Sequence, residues 1–439
     1  MTSAGIIRSF YLIAGLYTLA AALIWGINTL FLLNAGLDIF EVFLANAAFT
    51  AGIVVFEIPT GVIADTVGRR VSFLISTVLL ILATLMYVAV AETNGGLAEF
   101  ALVSVFLGLG FTFYTGAVEA WLVDALKATG FTGTLDRVFA RGGMVTGLAM
   151  LTGTLAGGFL GDVNLSLPYI ARAALLGLAF TVALFSMRDL GFKPRRVRAR
   201  EFPREMRRVA GNSIAYGWRH ASIRGFMAVS FVQAGFLSWA FYAWPPYFLE
   251  LLGSDAVWIS GAVASGIAAS TIMGNIVVEW FARRCGHRTT LLIGAAVVQT
   301  LAAIGVGLVN DFASAVTLLL IATAAMGVSG PVTQAYLHQV TPSEYRASVI
   351  SAVSMMGNGG GVVGQGGLGY LSRARSVGEG FLVGGALTLL VLPLLYRIRG
   401  YQDEADRFVG EQAGRRSPCT AQGMPEAAQI DTTARRTTD

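Results

Sequence analysis

Twelve apolar runs of roughly twenty residues divide this chain, and that spacing leaves few folds open to it. Twenty residues is about what an α-helix needs to cross a hydrocarbon core some 30 Å thick. The runs lie near 9–33, 40–60, 71–91, 98–122, 138–160, 167–187, 223–248, 257–280, 289–309, 312–336, 347–370 and 380–397. Lipid offers no partner to backbone N–H and C=O groups, so each run is expected to pair its own as a helix. Composition agrees, with 55% hydrophobic residues, only 13% charged and a mean hydropathy of +0.66. A soluble globular chain averages about 25% charged. The sequence therefore predicts an all-α integral membrane protein of twelve transmembrane helices, the last interrupted by Pro393.

The cations set the orientation, because Lys and Arg resist translocation whereas Asp and Glu weigh little. One set of connections carries Arg69, Arg70, Lys127, Arg137, Arg283, Arg284, Arg288 and Arg346, with an Arg-rich stretch from Arg188 to Arg219. That side is expected to be cytoplasmic, with both termini on it, in an inner or plasma membrane. The opposite connections carry Asp38, Glu41, Glu92, Glu99, Asp162, Glu250, Asp255 and Asp311, and their exceptions are Arg373 and Arg375. The first run is too long for a signal-peptide core and lacks a small-residue cleavage site, so it is expected to be retained. Cys285 and Cys419 both fall on the cytoplasmic side, which argues against a disulfide or a metal cluster. The formal charge of +5 reflects these inner-side cations and gives no sign of nucleic-acid binding.

An internal repeat divides the chain in two. Gly108, Thr112, Thr115 and Glu119 recur at i, i+4, i+7 and i+11 in the fourth run, and Thr323, Gly327, Gly330 and Gln334 repeat that spacing in the tenth. Ala120-Trp121-Leu122 is answered by Ala335-Tyr336-Leu337, and Arg137 with Gly157-Gly158 by Arg346 with Gly366-Gly367. Two pseudo-symmetric six-helix bundles follow, over 1–187 and 223–398. A basic linker (188–222) joins them, and a polar tail expected to be disordered covers 399–439. Lys193, Arg195, Arg196, Arg198, Arg200, Arg204, Arg207 and Arg208, with Phe202 and Met206, suggest a short linker helix lying on anionic lipid.

Between the second and third runs stands Gly61-Val62-Ile63-Ala64-Asp65-Thr66-Val67-Gly68-Arg69-Arg70, with an eroded copy at Ala282-Arg283-Arg284-Cys285-Gly286-His287-Arg288. The first stretch resembles the signature of the major facilitator superfamily, Gly-x-x-x-Asp-basic-x-Gly-Arg-basic, at Gly61, Asp65, Gly68, Arg69 and Arg70, with Thr66 in place of the usual cation. The resemblance covers residues 1 to about 398. It implies a secondary transporter with alternating access, not an enzyme, whose substrate site lies between the halves near the midplane.

Gly61 and Gly68 permit close helix approach and a tight turn. By resemblance, the Asp65 carboxylate faces the positive N-terminus of the eleventh helix and holds the cytoplasmic side shut. Arg69 or Arg70 is placed to pair with Asp124 at the end of the fourth helix. The alternative is that these cations only fix topology and touch anionic lipid.

Carboxylates within membrane runs are costly and point to function. Glu57 shares a stripe with Asn46, Thr50 and Thr60, near Pro59, and Glu119 lies on the small polar stripe of the fourth run. Their repeat mates, Asn275 and Gln334, cannot titrate, so proton loading is expected in the first half alone. Either carboxylate could instead be structural, bonded to a hydroxyl or paired with Arg141 or Arg172. Proton-coupled exporters of the superfamily usually carry an Arg in the fourth helix, absent here. Gly153-Thr154-Leu155-Ala156-Gly157-Gly158 is similar to their Gly-Pro-x-x-Gly-Gly pattern, with Thr154 replacing proline.

The helices that line the central path in the family supply candidate substrate contacts: Tyr17, Trp25 and Asn28; Phe111 and Tyr114; Gln233, Phe236, Trp239 and Tyr242; Gln334; and Asn358 and Gln365. A wet, aromatic-rich pocket suits amphipathic organic molecules better than sugars or phosphates. Trp and Tyr near helix ends also form interfacial belts, which is the competing use of these rings. Gly359-Gly360-Gly361-Val362-Val363-Gly364 satisfies a dinucleotide-binding spacing but lies inside a membrane run with no preceding strand, so glycine packing explains it better. Lys127 and Lys193 are the only lysines and neither follows a phosphate loop. The expectation is a monomeric, cofactor-free and metal-free exporter of amphipathic small molecules, driven by protons and bathed in membrane lipid. An uptake symporter, a lipid flippase or a non-transporting receptor would share the architecture.

Overall fold

The computed structural model describes residues 2–192, 217–282, 284–342 and 346–408. Arg283, the Arg-rich part of the linker and the chain beyond Phe408 lie outside the described residues. The first half runs α1 (Ser3–Ala22), α2 (Asn28–Asn34), α3 (Ile39–Val67), α4 (Arg69–Glu92), α5 (Leu97–Tyr114), α6 (Ala117–Ala128), α7 (Leu135–Val163) and α8 (Leu167–Ser186). The second runs α9 (Ala221–Leu252), α10 (Val257–Ala282), α11 (Arg288–Leu308), α12 (Phe312–Val340), α13 (Arg346–Ala374), α14 (Val377–Thr388) and α15 (Val391–Gly400).

Among the described residues, eleven helical segments are long and apolar enough to cross a membrane. The remaining predicted span is α13, a 29-residue helix whose glycines, with Asn358 and Gln365, dilute its apolar character. Three predicted runs prove to be broken helices. The first gives way to turns over 23–27, and the fourth stops at Thr115 and restarts after Gly116, which sits at φ 73°. The twelfth breaks at Leu389–Leu390, which leaves Pro393 in the first turn of α15, where a missing N–H forfeits no helical bond. The second predicted run extends well past residue 60, because nothing between Gly61 and Val67 stops a helix.

Helix starts follow local chemistry. Asp38 accepts from the N–H groups of Phe40 and Glu41 at 2.9 and 3.0 Å, while Glu41 reaches back to the Asp38 N–H at 2.9 Å, a complete capping box for α3. Asp311 caps α12 by accepting from the Ser314 N–H at 2.8 Å, and hydrogen bonds from Ser314 hold its carboxyl below the usual range.

Within the first half, α5 packs on α3 and α4, and α1 packs on α7 and α8; within the second, α9 packs on α13, and α12 packs on α10 and α11. Each half has its own apolar core. A third cluster around Trp239, Trp244, Phe248 and Phe381 also takes in Phe43 from α3, so it joins the halves. The halves meet through α3 on α13 and α7 on α10. Outward-facing apolar side chains such as Phe185 and Val163, more than three-quarters exposed, are what a lipid-solvated surface requires.

The contacts between halves run from midspan to the end that carries the acidic loops. The Thr29 hydroxyl donates to the Tyr242 carbonyl at 2.7 Å, and Ser265 donates to the Leu151 carbonyl at 3.3 Å. Arg373 pairs with Asp38 at 3.3 Å, which gives the positive charge on that side a partner. Gly158 and Gly261 touch backbone to backbone, such that a Cβ on Gly158 would lie 2.7 Å from the Gly261 Cα. At the basic end, Glu119, Arg137, Arg141 and Gly143 are exposed.

Candidate substrate cavity and gate

The two halves enclose a cavity of about 940 Å³, large enough for a drug-sized molecule. Trp25, Tyr114, Phe236, Phe241, Tyr242 and Trp244 give it aromatic walls, and Thr50, Gln299, Asn358 and Gln365 give it scattered polar groups. Buried Trp244, Phe381 and Gln365 close it toward the acidic end. Exposed Glu119 and Gly143 mark its opening toward the basic end.

Of the residues picked from sequence, Trp25, Tyr114, Phe236, Tyr242, Asn358, Gln365 and Glu119 all belong to this wall. Others stand behind it. Tyr17 stacks on Tyr114 with ring centroids 3.5 Å apart and planes 8° from parallel, and Phe111 packs between Phe49 and Tyr114. Asn28 is engaged elsewhere, donating to Asn46 at 3.0 Å and accepting from the Tyr169 hydroxyl at 2.8 Å. Trp239 is fully buried, and its indole N–H donates to Ser372 at 3.2 Å. Gln233 is half-buried and Gln334 exposed, and neither is part of the wall. Helical periodicity assigned these side chains a face, but each neighbouring helix decides whether that face meets the cavity or a core.

Gln299 was not anticipated. It is buried on α11 and lines the cavity, and its amide nitrogen has no protein partner. A lone amide in an apolar span was the available signal. Gln365 shows a related pattern: its nitrogen donates to Thr50 across the halves at 3.4 Å, while its oxygen is buried without a partner. Both amides can hydrogen-bond a bound molecule. Glu57 is half-buried on α3, outside the wall, with Oε2 enclosed and unpartnered. Its stripe mates are spent locally, since Asn46 donates to the Val42 carbonyl and Thr60 to the Phe56 carbonyl, each at 2.8 Å.

At the basic end the turn is confined to Gly68, at φ 123° and ψ 152°, a conformation open only to glycine. Gly61 lies inside α3 with open space where a Cβ would be, so it provides neither a turn nor a close approach. Arg69 pairs with Asp65 at 2.6 Å rather than with Asp124, because four residues of nearly continuous helix bring them together. Arg70 turns to the end of α8: its N–H donates to Asp189 at 3.0 Å and its guanidinium to the Leu184 carbonyl at 2.7 Å. Asp124 therefore takes neither cation, and it is half-buried. Residues 343–345, just before α13 where Asp65 was expected to find a helix N-terminus, are outside the described residues.

The hinge copy in the second half carries a parallel arrangement. The Thr289 N–H and hydroxyl donate to Asp406 at 2.7 and 2.8 Å, and Arg288 donates to the carbonyls of Ala405 and Arg407. Tyr336 donates to Asp403 at 2.9 Å, as its repeat mate Trp121 donates to the Arg188 carbonyl at 2.8 Å. The chain just past Gly400 is thus folded onto the second bundle.

A family model for the major facilitator superfamily matches this chain over residues 10–365 and again over 268–421. The chain belongs to the major facilitator superfamily. It is a multi-pass membrane transporter of small molecules and not an enzyme. It is 27% identical over 362 residues to the class G tetracycline resistance protein of Vibrio anguillarum, covering 78% of this chain and 84% of that one. The class E tetracycline resistance protein of Escherichia coli is 24% identical over 247 residues, 55% of this chain and 56% of that protein. Among superfamily structures, the nucleoside transporter NupG superposes with a TM-score of 0.73 at 12% identity, covering 90% of this chain and 99% of NupG, a likeness of fold alone.

Proposed function

We infer that this superfamily member exports amphipathic small molecules, such as drugs or antibiotics, in exchange for protons, by alternating access. The observation that carries the reading is Glu119, a carboxylate exposed in the wall of an aromatic cavity that is closed at one end and open at the other. A carboxylate so placed can take a proton when the cavity faces one side and release it when the cavity faces the other. Glu57, with its shielded oxygen, is the second proton-carrying candidate. The likeness to tetracycline resistance proteins supports a drug as cargo. Flat rings at Trp25, Tyr114, Phe236 and Tyr242 bury area without strict hydrogen-bond demands, which favours a broad substrate range.

In this reading Asp65, with Arg69 and Arg70 on either side of the Gly68 turn, closes the basic end when the acidic end opens. The basic end is cytoplasmic, both termini lie on that side of a cytoplasmic-type membrane, and a single chain is the working unit. The test is full-length protein in proteoliposomes with an imposed pH gradient, following tetracycline flux and proton counterflow together. Glu119→Gln should cut gradient-driven flux about tenfold or more while sparing exchange at equal pH. Full coupled activity in both Glu119→Gln and Glu57→Gln would refute the proton scheme.

A further inference from the structure

The cavity does not stop at the seam between the halves. Gln299, Ala303 and Val306, spaced i, i+4 and i+7, present one face of α11 to it, and Phe381 reaches it from α14. The repeat mates of those helices, α4 and α8, contribute nothing to the wall among the described residues. The second half therefore holds a side recess that the first half does not repeat. Four alanines make the room: Ala240, Ala268, Ala303 and Ala322 each come from a different helix, α9 to α12, and all are buried. Phe236, Trp244, Val306 and Phe381 wall the recess, and they share one apolar cluster with Ala240 and Ala303.

Gln299 breaks that apolar lining. It is 3% exposed, and its Nε2 is enclosed with no acceptor among the described residues. The hydroxyls that α10 and α12 bring to the wall are already engaged: Thr271 donates to the Ile267 carbonyl at 2.8 Å, and Thr323 shares a hydrogen bond with Ser270 at 2.6 Å. A trapped water needs two to four polar partners, which an alanine-lined floor does not supply. An enclosed amide donor left unpaired costs stability, and a ligand that brings an acceptor recovers it. No Lys or Arg lines the cavity among the described residues, so an anionic acceptor would enter without a counter-charge. A neutral oxygen fits instead, on a flat ring that packs against the aromatic walls.

We propose that this recess is the subsite for the fused-ring end of the substrate, and that Gln299 selects rings that carry a neutral acceptor such as a ring carbonyl. The rest of the molecule lies in the main cavity toward Glu119. The proposal rests on the transport reading above and narrows its substrate class, from amphipathic molecules in general to flat ring systems bearing a carbonyl.

Two probes of the same tricyclic outline test it: a trimethylammoniomethyl anthraquinone and the corresponding anthracene, which lacks the ring carbonyls. The shared cation keeps both in water. Equilibrium binding to the full-length protein in detergent is measured against protein-free micelles. The wild-type protein should bind the anthraquinone about tenfold more tightly, the scale of one hydrogen bond to an otherwise unpaired buried donor. Gln299→Leu should bring the two affinities within about twofold of each other. Because that ratio is taken within one variant, a loss of folded protein does not mimic it. Ala303→Leu fills the recess and should weaken both probes about tenfold or more, and Ala322→Leu tests the same space from α12 should the first variant unfold. Equal affinities in the wild type, or a preference that survives Gln299→Leu, overturns the role of Gln299. Unchanged binding of both probes in folded Ala303→Leu or Ala322→Leu overturns the subsite. A preference that follows these expectations, with no proton-coupled tetracycline flux, would sink the transport reading and leave the subsite standing.

Discussion

The backbone N–H of Thr289 donates to the Asp406 carboxylate at 2.7 Å, tying the chain that follows the last span to the start of the ninth. Its counterpart in the first half joins Arg70 to Asp189 at 3.0 Å, after the sixth span and at the start of the third. In both halves an aspartate from beyond the bundle caps the helix that follows the hinge, satisfying N–H groups that no helical turn can reach. The hinge copy has Arg283 where Asp65 stands, yet carboxylates stand beside it, supplied by Asp403 and Asp406 from the segment after the last span.

Removing that cap should loosen the second bundle. Asp406 is 3% exposed and takes two hydrogen bonds from Thr289, so Asp406→Asn should cost about 1–2 kcal/mol. Thermal unfolding of purified protein in detergent would show this as a lower midpoint. Asp189→Asn should act likewise on the first bundle. A chain ended after Gly400 should be less stable than either variant, since it also loses Asp403 from Tyr336 and the carbonyls held by Arg288. An unchanged midpoint in the truncated chain would show that the segment only rests on the bundle.

The Asp38–Arg373 pair argues for a different kind of effect. Its side chains are 39% and 57% exposed, so neutralising either should change stability by less than about 1 kcal/mol. The pair nevertheless bridges α3 and α13 at the end where the cavity is shut. Asp38→Arg would set two cations together across the seam and favour opening there. A Thr29→Cys reporter, buried at the same seam, should react with a membrane-impermeant maleimide faster in the Asp38→Arg background, and more so at low salt. Pairing Asp38→Arg with Arg373→Asp should restore slow labelling.

Much of this was legible in the sequence, and the reasons differ by level. Span number, the two halves and the all-helical class follow from the length of the apolar runs, which a bilayer enforces without help from tertiary contacts. The breaks at 23–27 and at Gly116 were not foreseen, because local sequence there remains compatible with a helix; the second half keeps its tenth span continuous through Pro331 at the position matching Gly116. Trp25 and Tyr242 could be placed near the central path, whereas Tyr17 and Trp239 share the same composition and lie behind it. Which aromatic ring meets the cavity depends on the partner helix, and a single sequence does not carry that. Asp65 and Arg69 meet along one helix, while the partners of Arg70 lie more than a hundred residues away.

Gly68 should tolerate replacement less well than Gly116, although both have positive φ. At φ 123° and ψ 152° Gly68 occupies a region that other residues scarcely enter, and a Cβ there would meet the Asp189 carboxylate that caps α4. Gly116, at φ 73° and ψ −13°, has open space around it. Gly116→Ala should therefore cost about 1 kcal/mol and leave the folded yield nearly unchanged. Gly68→Ala should cost about 1–3 kcal/mol and displace Asp189 as well. Comparing unfolding midpoints of the two variants checks this, with Asp189→Asn in the Gly68→Ala background expected to add little further loss.

The tightest seam between the halves gives the sharpest test of alternating access. Gly158 on α7 and Gly261 on α10 meet without side chains, and a Cβ on Gly261 would also fall 2.7 Å from the Thr154 carbonyl. Closure at this end therefore requires glycine at both positions. Gly158→Leu should hold the halves apart here, so the protein would rest open at the acidic end and cycle at no more than about a tenth of the normal rate. Folding should survive, because the seam joins two bundles that each have a core of their own. Impermeant labelling of Thr29→Cys should rise in Gly158→Leu while labelling of a cysteine at Gly143, on the basic side, falls. A parallel rise at both sites would mean that the bundles had come apart rather than rocked, and the seam would then be structural glue instead of a moving contact.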